Sequence, residues 1–493
     1  MKTINFFLTL FVKHAVFRRL QMLRNSIFLL ILSLILFNRL YAQTQYELWG
    51  MTKSGGEKNC GVIFKYNLQS ATITKVLDFD DQDRGKYPQG GLILASNGKL
   101  YGLTKNGGVN DLGTLFEYDP NTTVFVKKID FDGKSNGQWP CGTLLQASAD
   151  NLYGTTLKGG KNDAGILFVF NLQSGQLIKK FDFDGKETGD SPYASLIEAS
   201  NGLLYGSTIN GGQNNKGVLF SFDPSTDKFK KLVDFDSDIN GEEPKGNLVQ
   251  TSNGKLYGTT TWGGAQNNGV LFEYDPKKNK LIVKYDFVAD DGQFPAGGLV
   301  LATNEKFYGT TYWGGANDAG ILFEYSPLSE KITKRTEFDG AGKGRSAQGC
   351  LMQAHNGKLY GVTTYGGGSD LGVLFEYDIS TAIFKKLVDF DGTNGAYPVA
   401  LKLIEVTNPP TGGVKNEDQS NSLFSIKIAP NPSCGIIRIT GALKENDKID
   451  IVDTEGKQVN FDRIDERTLN LSLLIPGIYF IRIGTQIFRV VRL

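Results

Sequence analysis

Histidine is almost missing from this chain. It has two in 493 residues, and only His355 lies beyond the N-terminal segment. That leaves too little for a His-based triad or a His-rich zinc site. Cysteine is nearly as scarce. Cys60, Cys141, Cys350 and Cys434 sit far apart with no metal-ligand spacing. The expectation is free thiols, although an exported chain could pair two of them. Neither charge is in excess: 53 Lys+Arg against 52 Asp+Glu leave a formal charge of +1. Such a balance offers no basic face for nucleic acid. Helix-type apolar periodicity is close to absent, and no glycine-rich loop leads into a helix, so phosphate-cradling nucleotide motifs drop out. Long apolar runs are missing too, with one exception. S-I-F-L-L-I-L-S-L-I-L-F at 26–37 follows Arg24 and precedes L-Y-A at 40–42. It is too short to span a bilayer comfortably and reads as a signal peptide over 1–42, cleaved after Ala42 and naturally starting at Met22. An uncleaved anchor is the alternative. No later segment is apolar enough to cross a membrane, so the mature chain is expected to lack a transmembrane segment.

What the chain has in plenty is glycine, at 60 residues, with 32 Phe and 20 Tyr. The glycine follows no collagen-like period and punctuates turns. An aromatic-Gly pair beats through the sequence at Trp49, Tyr101, Tyr153, Tyr205, Tyr257, Tyr308 and Tyr360, with spacings of 52 or 51 residues. A Gly pair follows each, from Gly55-Gly56 to Gly366-Gly367, and then an apolar run holding Phe64, Phe116, Phe168, Phe220, Phe272, Phe323 or Phe375.

One unit parses into four strands. In the fifth, G-N-L-V-Q-T-S (246–252) is strand a, and N-G at 253–254 makes a tight hairpin. K-L-Y-G-T-T-T-W (255–262) is strand b, G-V-L-F-E-Y-D (269–275) strand c and L-I-V-K-Y-D-F (281–287) strand d. Strand c is apolar on both faces and reads as covered on both, whereas strand d carries Lys and Asp as an outer strand would. Four-stranded units of this length, seven times over, predict a seven-bladed β-propeller across 43–406. An open solenoid is the rival, but the ends of the array favour a ring. The first unit begins at Y-E-L-W-G (46–50) with no strand a. The last is followed by Y-P-V-A-L-K-L-I-E-V (397–406), which looks like a strand a. A ring closed by the two chain ends would leave no exposed sheet edge.

The pattern N-G-x-L-Y-G-x-T-x-x-G-G followed by G-x-L-F-x-Y/F resembles the Gloeo/Verruco tandem repeat of bacterial exported proteins. The resemblance covers nearly all of 44–406 and implies a propeller-like fold but no reaction. The first unit departs from it, with Trp49 for Tyr and Met51-Thr52 for the short Thr run.

At residue 407 the composition shifts to a polar linker (407–423), and short β-type runs follow over 424–493, as in a small β-sandwich. A-P-N-P (429–432), Gly435, D-T-E-G-K (453–457) and L-I-P-G-I-Y-F-I-R-I (474–483) resemble the type A C-terminal sorting domain of the type IX secretion pathway. Pro430, Asn431, Pro432, Gly435, Gly456, Pro476 and Gly477 carry the match. The basic ending is only partly kept, in R-V-V-R-L (489–493). The resemblance implies the type IX machinery as a partner, passage across the outer membrane of a Gram-negative bacterium, removal of the tail, and release or surface attachment.

Strands of a blade alternate in direction, so the Gly-rich b–c loops and the D-F-D-G-containing d–a loops must share one face. In a symmetric body, function is best sought where equivalent positions differ. The residue before the Gly pair runs Ser54, Asn106, Lys158, Asn210, Trp262, Trp313, Tyr365, and Tyr312 adds an aromatic beside Trp313. The residue before the d–a proline is Tyr87, Trp139, Phe294 or Tyr397 in four units. Such aromatics suit stacking on sugar rings or on a partner protein, or else packing between blades. Packing is the expected role for Tyr87, Trp139, Phe294 and Tyr397, and both readings stand for Trp262, Trp313 and Tyr365. The D-F-D-G acids could seat Ca²⁺, but they are fewer than a full Ca²⁺ loop needs, and no cofactor is expected. No two acids stand out as a glycosidase pair. The sequence therefore predicts an exported binding propeller for glycan or a protein partner. A polysaccharide lyase or glycoside hydrolase on the same face and a structural surface component are its rivals.

Overall fold

The computed structural model describes residues 45–408 apart from 149, 400 and 401. In the tail it describes 427–429, 436–440, 449–453, 457–465, 468–471, 474, 477–483 and 486–492. Outside this set lie the segment 1–42 with Met22, the linker from 409 to 423, Cys434, Pro430, Asn431, Pro432, Gly435, Gly456 and Pro476. The chain forms two compact units, divided between residues 411 and 412. No helix among the described residues is long and apolar enough to cross a membrane.

The described part of the first unit holds seven four-stranded antiparallel sheets. Six are consecutive in sequence. Blade 2 is Ile93–Leu94, Leu100–Thr104, Thr114–Tyr118 and Phe125–Asp130, and blade 5 is Val249–Gln250, Leu256–Thr259, Val270–Asp275 and Lys280–Asp286. Blade 1 takes Gln45–Thr52, Val62–Asn67 and Thr72–Asp78 from one end of the chain and Ile404–Asn408 from the other. The closing strand pairs antiparallel, Trp49 opposite Ile404 and Gln45 opposite Asn408. This is the seven-bladed ring expected from the chain ends. Its closing strand runs two residues beyond the 406 read from sequence.

Strand c is the heart of each blade. Val270, Leu271 and Phe272 are all at most 1% exposed, because neighbouring blades cover both faces. The glycine of the aromatic-Gly pair exists for this layer: a Cβ on Gly258 would stand 2.6 Å from the Phe272 ring. The last core position is the Phe of the D-F-D-G stretch, and Phe79, Phe131, Phe183, Phe235, Phe287, Phe338 and Phe390 are fully buried.

Two strands are shorter than their sequence suggests. Strand b of blade 5 leaves its ladder at Thr259 rather than reaching Trp262. Thr260 explains the exit. Its hydroxyl accepts the Val270 N–H at 3.1 Å and donates to the Trp262 carbonyl at 2.9 Å. Trp262 then exchanges backbone hydrogen bonds with Glu242 of the preceding d–a loop. Strand a of blade 5 pairs only over Val249–Gln250, and before it the Asn247 side chain bonds to Ser195 of the preceding blade.

Each buried strand-c glutamate in blades 2, 5 and 6 accepts from a tyrosine and a lysine of its own blade, and Glu324 accepts from Arg335 as well. Glu117 accepts from Tyr101 at 2.6 Å and Lys99 at 2.5 Å, and Glu324 from Tyr308 at 2.7 Å and Lys306 at 2.6 Å. Glu273 is held likewise by Tyr257 and Lys255. Burial pushes these carboxyls up, but the hydrogen bonds outweigh it and leave all three below the ordinary glutamate value. A depressed folded-state pKa stabilises the fold above the unfolded value of about 4.3 and loses that contribution as pH falls through the folded value. The stability gap between the parent and a Glu117→Gln/Glu273→Gln/Glu324→Gln variant should therefore be widest near neutral pH and shrink below about 4.3. Thermal melts across pH check this; a gap that stays constant would contradict it.

The tail unit has one sheet of Lys427–Ala429, Ile436–Thr440, Thr468–Asn470 and Asp462–Asp465 and another of Ile449–Val452, Gly477–Ile483 and Gln486–Arg492. Ile449, Ile451, Leu469, Leu471, Tyr479, Ile481 and Ile483 from both sheets share one core, as in a sandwich. Gly477 opens the long strand of the second sheet.

Candidate binding face

The residue before the d–a proline, or before Ala347 in the one copy that lacks it, anchors the loop face. In all seven copies (Tyr87, Trp139, Ser191, Glu243, Phe294, Ser346 and Tyr397) its φ lies between 52° and 60°, in the left-handed region. This turn staples two blades. The N–H of Phe294 reaches the Asn268 carbonyl of blade 5 at 2.9 Å, and its own carbonyl accepts the Tyr312 N–H of blade 6 at 3.1 Å. The same pair of bonds recurs at Tyr397, to Leu371 and from Lys53. Sevenfold repetition marks the strain as architectural. Its effect is to place each of these side chains between two blades.

The aromatics divide into three groups. Phe294 is 8% exposed and lies between Trp262, at 3.9 Å between ring centres, and Trp313, at 5.3 Å. Tyr312 stands edge-on to Trp313 at 5.2 Å. Trp313 is 43% exposed, more than any other described aromatic side chain. Tyr365 pairs with Tyr397 at 5.4 Å, with the Arg345 guanidinium 4.9 Å from its ring centre and fixed by Asp370. Trp139 touches no other aromatic ring among the described residues. It is half-buried below Lys105, whose ammonium is 5.9 Å from its centre, and its Nε1 is buried without a hydrogen-bond partner. Of the residues singled out from sequence, the structure therefore brings Trp262, Trp313 and Tyr312 together through Phe294. It sets Tyr365 on a neighbouring pair and leaves Trp139 apart.

The D-F-D-G carboxylates are committed to turns. The first Asp holds the loop after the Gly pair: Asp130 accepts the Val109 N–H at 2.9 Å and pairs with Lys127 at 3.0 Å. The second Asp closes its own loop: Asp132 accepts from Ser135 and Asn136 at 2.7 and 3.0 Å. These contacts explain the motif without a cation.

Sequence reading missed the ring axis. One residue past the d–a proline position, the seven copies read Gln89, Cys141, Tyr193, Lys245, Ala296, Gln348 and Val399. Gln89, Tyr193, Lys245, Ala296, Gln348 and Val399 line a cavity of about 320 Å³ together with Lys53, Ser54, Thr364, Tyr365 and Tyr397. The signal was available, since this position carries six residue types in seven blades beside one that is nearly always Pro. Two residues deeper, side chains link successive strands a. Thr143, Ser195 and Asn247 accept the N–H of Gly91, Thr143 and Ser195, each at 2.8 Å, and Asn247 Nδ2 reaches Cys350 Sγ at 3.2 Å across Gly298. Below them a second cavity of about 470 Å³ has a wall rich in Leu, Ile and Val. Cys60, Cys141 and Cys350 are free and buried, as expected. Burial pushes the Cys141 thiol up to about 12 and Cys350 to about 11, which keeps both protonated and inert.

The family model described as the Gloeobacter/Verrucomicrobia repeat matches residues 38–254 and 238–426. The chain belongs to this repeat family. The model of the secretion-system C-terminal sorting domain matches 427–492. A Gloeobacter/Verrucomicrobia-repeat propeller with such a tail is exported through the type IX pathway and is secreted or held on the outer surface of a Gram-negative cell. No curated protein matches the chain. Among solved structures it is similar to a candidate 6-phosphogluconolactonase from Bacteroides uniformis, at 14% identity and a TM-score of 0.51, over 74% of this chain and 99% of that one. It is also similar to a counterpart from Bacteroides fragilis, at 16% identity and a TM-score of 0.49, over 73% and 98%. At these identities the likeness concerns the fold alone.

Proposed function

We propose that this exported propeller is a glycan-binding module that grips its ligand on the face of the b–c and d–a loops. The observation that carries the reading is Trp313, exposed on a platform stiffened by Phe294 and flanked by Trp262 and Tyr312. A flat, rigid, exposed ring beside tyrosine hydroxyls matches the apolar face and polar rim of a sugar. The hydrolase reading finds less support. A glycosidase needs two carboxyl groups flanking the bond, and neither axial cavity is lined by Asp or Glu.

A glycan-array screen of the mature chain should show saturable binding without turnover. A Trp262→Ala/Trp313→Ala/Tyr365→Ala variant with an intact melting curve should bind at least about tenfold more weakly, the loss of roughly 1.4 kcal/mol of stacking. Polysaccharide cleavage by the parent, or full binding by the variant, would overturn the proposal.

A further inference from the structure

We infer that the axial cavity beside the aromatic platform receives an anionic group borne by the glycan, a uronate carboxylate or a sulfate ester. The inference rests on the glycan-binding reading and names the ligand class. Tyr365 is the physical link, since it belongs both to the loop-face aromatics and to the cavity wall.

The cavity is furnished with donors. Lys53 lines it and has no carboxylate within ion-pair distance among the described residues, whereas Lys245 is paired with Glu243 at 2.7 Å. Lys105 occupies the position equivalent to Lys53 in the next blade, also outside any ion pair, and its charge is felt at Cys141 on the same axial ring. Lys402 lines the second axial cavity. Tyr193, Tyr365 and Tyr397 bring hydroxyls to the same wall. Burial pushes Tyr193 and Tyr365 up, so they stay neutral donors at physiological pH. No lining residue is acidic, and Glu243 answers Lys245 alone. A half-buried ammonium in a wall that also carries tyrosines attracts an anion more strongly than it would in open water. The volume of about 320 Å³ lies at the small end of ligand cavities, which suits one charged sugar residue rather than a chain. The platform would then hold the neighbouring sugars.

The position of Lys53 makes the test clean. Blades 3 and 4 carry Leu157 and Ile209 there, so the fold tolerates an apolar residue. Binding would be measured by calorimetry with three hexasaccharides: a polyuronate, its carboxyl-reduced neutral counterpart, and a sulfated neutral one. The parent should bind one or both anionic ligands at least about tenfold more tightly than the neutral one, and which of them it prefers identifies the anion. Lys53→Leu should lose most of that preference while keeping its affinity for the neutral ligand, Lys53→Arg should retain it, and Trp313→Ala should weaken all three. Equal affinity for neutral and anionic ligands would overturn this inference and leave the glycan reading standing. An undiminished preference in Lys53→Leu would overturn the assignment to this cavity. Binding to none of the three, or to anything else on the array, would sink both readings.

Discussion

A chain ending at residue 402 should fail to form a monomeric propeller, whereas one ending at residue 411 should melt as a single soluble body. The two differ by the closing strand Ile404–Asn408 and little else. That strand fills the innermost place of blade 1, pairing from Gln45–Asn408 to Trp49–Ile404. It brings Leu403, 1% exposed, into the core with Leu48 and Phe64, and Val406, 5% exposed, into the core with Trp49 and Leu92. Each such side chain contributes about 1.5–3 kcal/mol on burial. Glu405 adds a latch between the chain ends. It accepts the His355 N–H at 3.0 Å and contacts the ring at 2.6 Å, while the other end supplies Tyr46, stacked on His355 at 3.4 Å. Without the strand, Gln45–Thr52 becomes an open, largely apolar edge, a template for aggregation. We expect a loss of about 3–6 kcal/mol, seen as a lower midpoint in a thermal melt and as oligomers on size exclusion. A monomeric 402-residue chain with an unchanged midpoint would show that the ring does not need closing.

That closure was legible because it is written as sequence: a unit missing its strand a, and a spare strand a at the far end. What lies within one repeat was similarly open to view, such as the strand-c run Val270–Phe272, covered on both faces. What joins one repeat to another was not. The Phe294 ring meets Trp262 and Trp313 because a left-handed turn lifts it between two blades, and no local pattern announces a positive φ at a phenylalanine. Asn247 and Cys350 meet 103 residues apart. Lys53 and Tyr193 share a cavity only because the ring curves back on its axis. The aromatics of the candidate site stood out as departures from a repeated phrase. Their division into a Trp262–Phe294–Trp313 platform and a Tyr365–Tyr397 pair depended on loops a blade apart, which sequence spacing does not order.

The Gly pair is the strongest case of one motif with a hidden reason, and it yields the second large effect. Gly159 and Gly202 look alike in sequence, each a glycine in a turn, and their φ values are close, +85° and +78°. Placing Ala at either costs about 1–2 kcal/mol for a left-handed L-residue. Their surroundings differ. A Cβ on Gly202 meets nothing within 4 Å, since the a–b hairpin faces solvent. A Cβ on Gly159 would lie 2.2 Å from the Gly133 carbonyl oxygen and 2.8 Å from Gly137 Cα. Both belong to the d–a loop of the preceding blade, whose Gly133 carbonyl also accepts the Gly160 N–H at 2.7 Å. Backbone cannot turn aside as a side chain can, so the two blades must separate. We therefore expect Gly159→Ala to cost about 2–5 kcal/mol, the left-handed penalty plus about 1–3 kcal/mol of overpacking, against about 1–2 kcal/mol for Gly202→Ala. Thermal midpoints of the two variants measure the difference. Equal shifts would mean that the Gly pair serves only its own turn. A much larger shift at Gly159 would mean that the repeated phrase is kept because each copy is the socket for the blade before it.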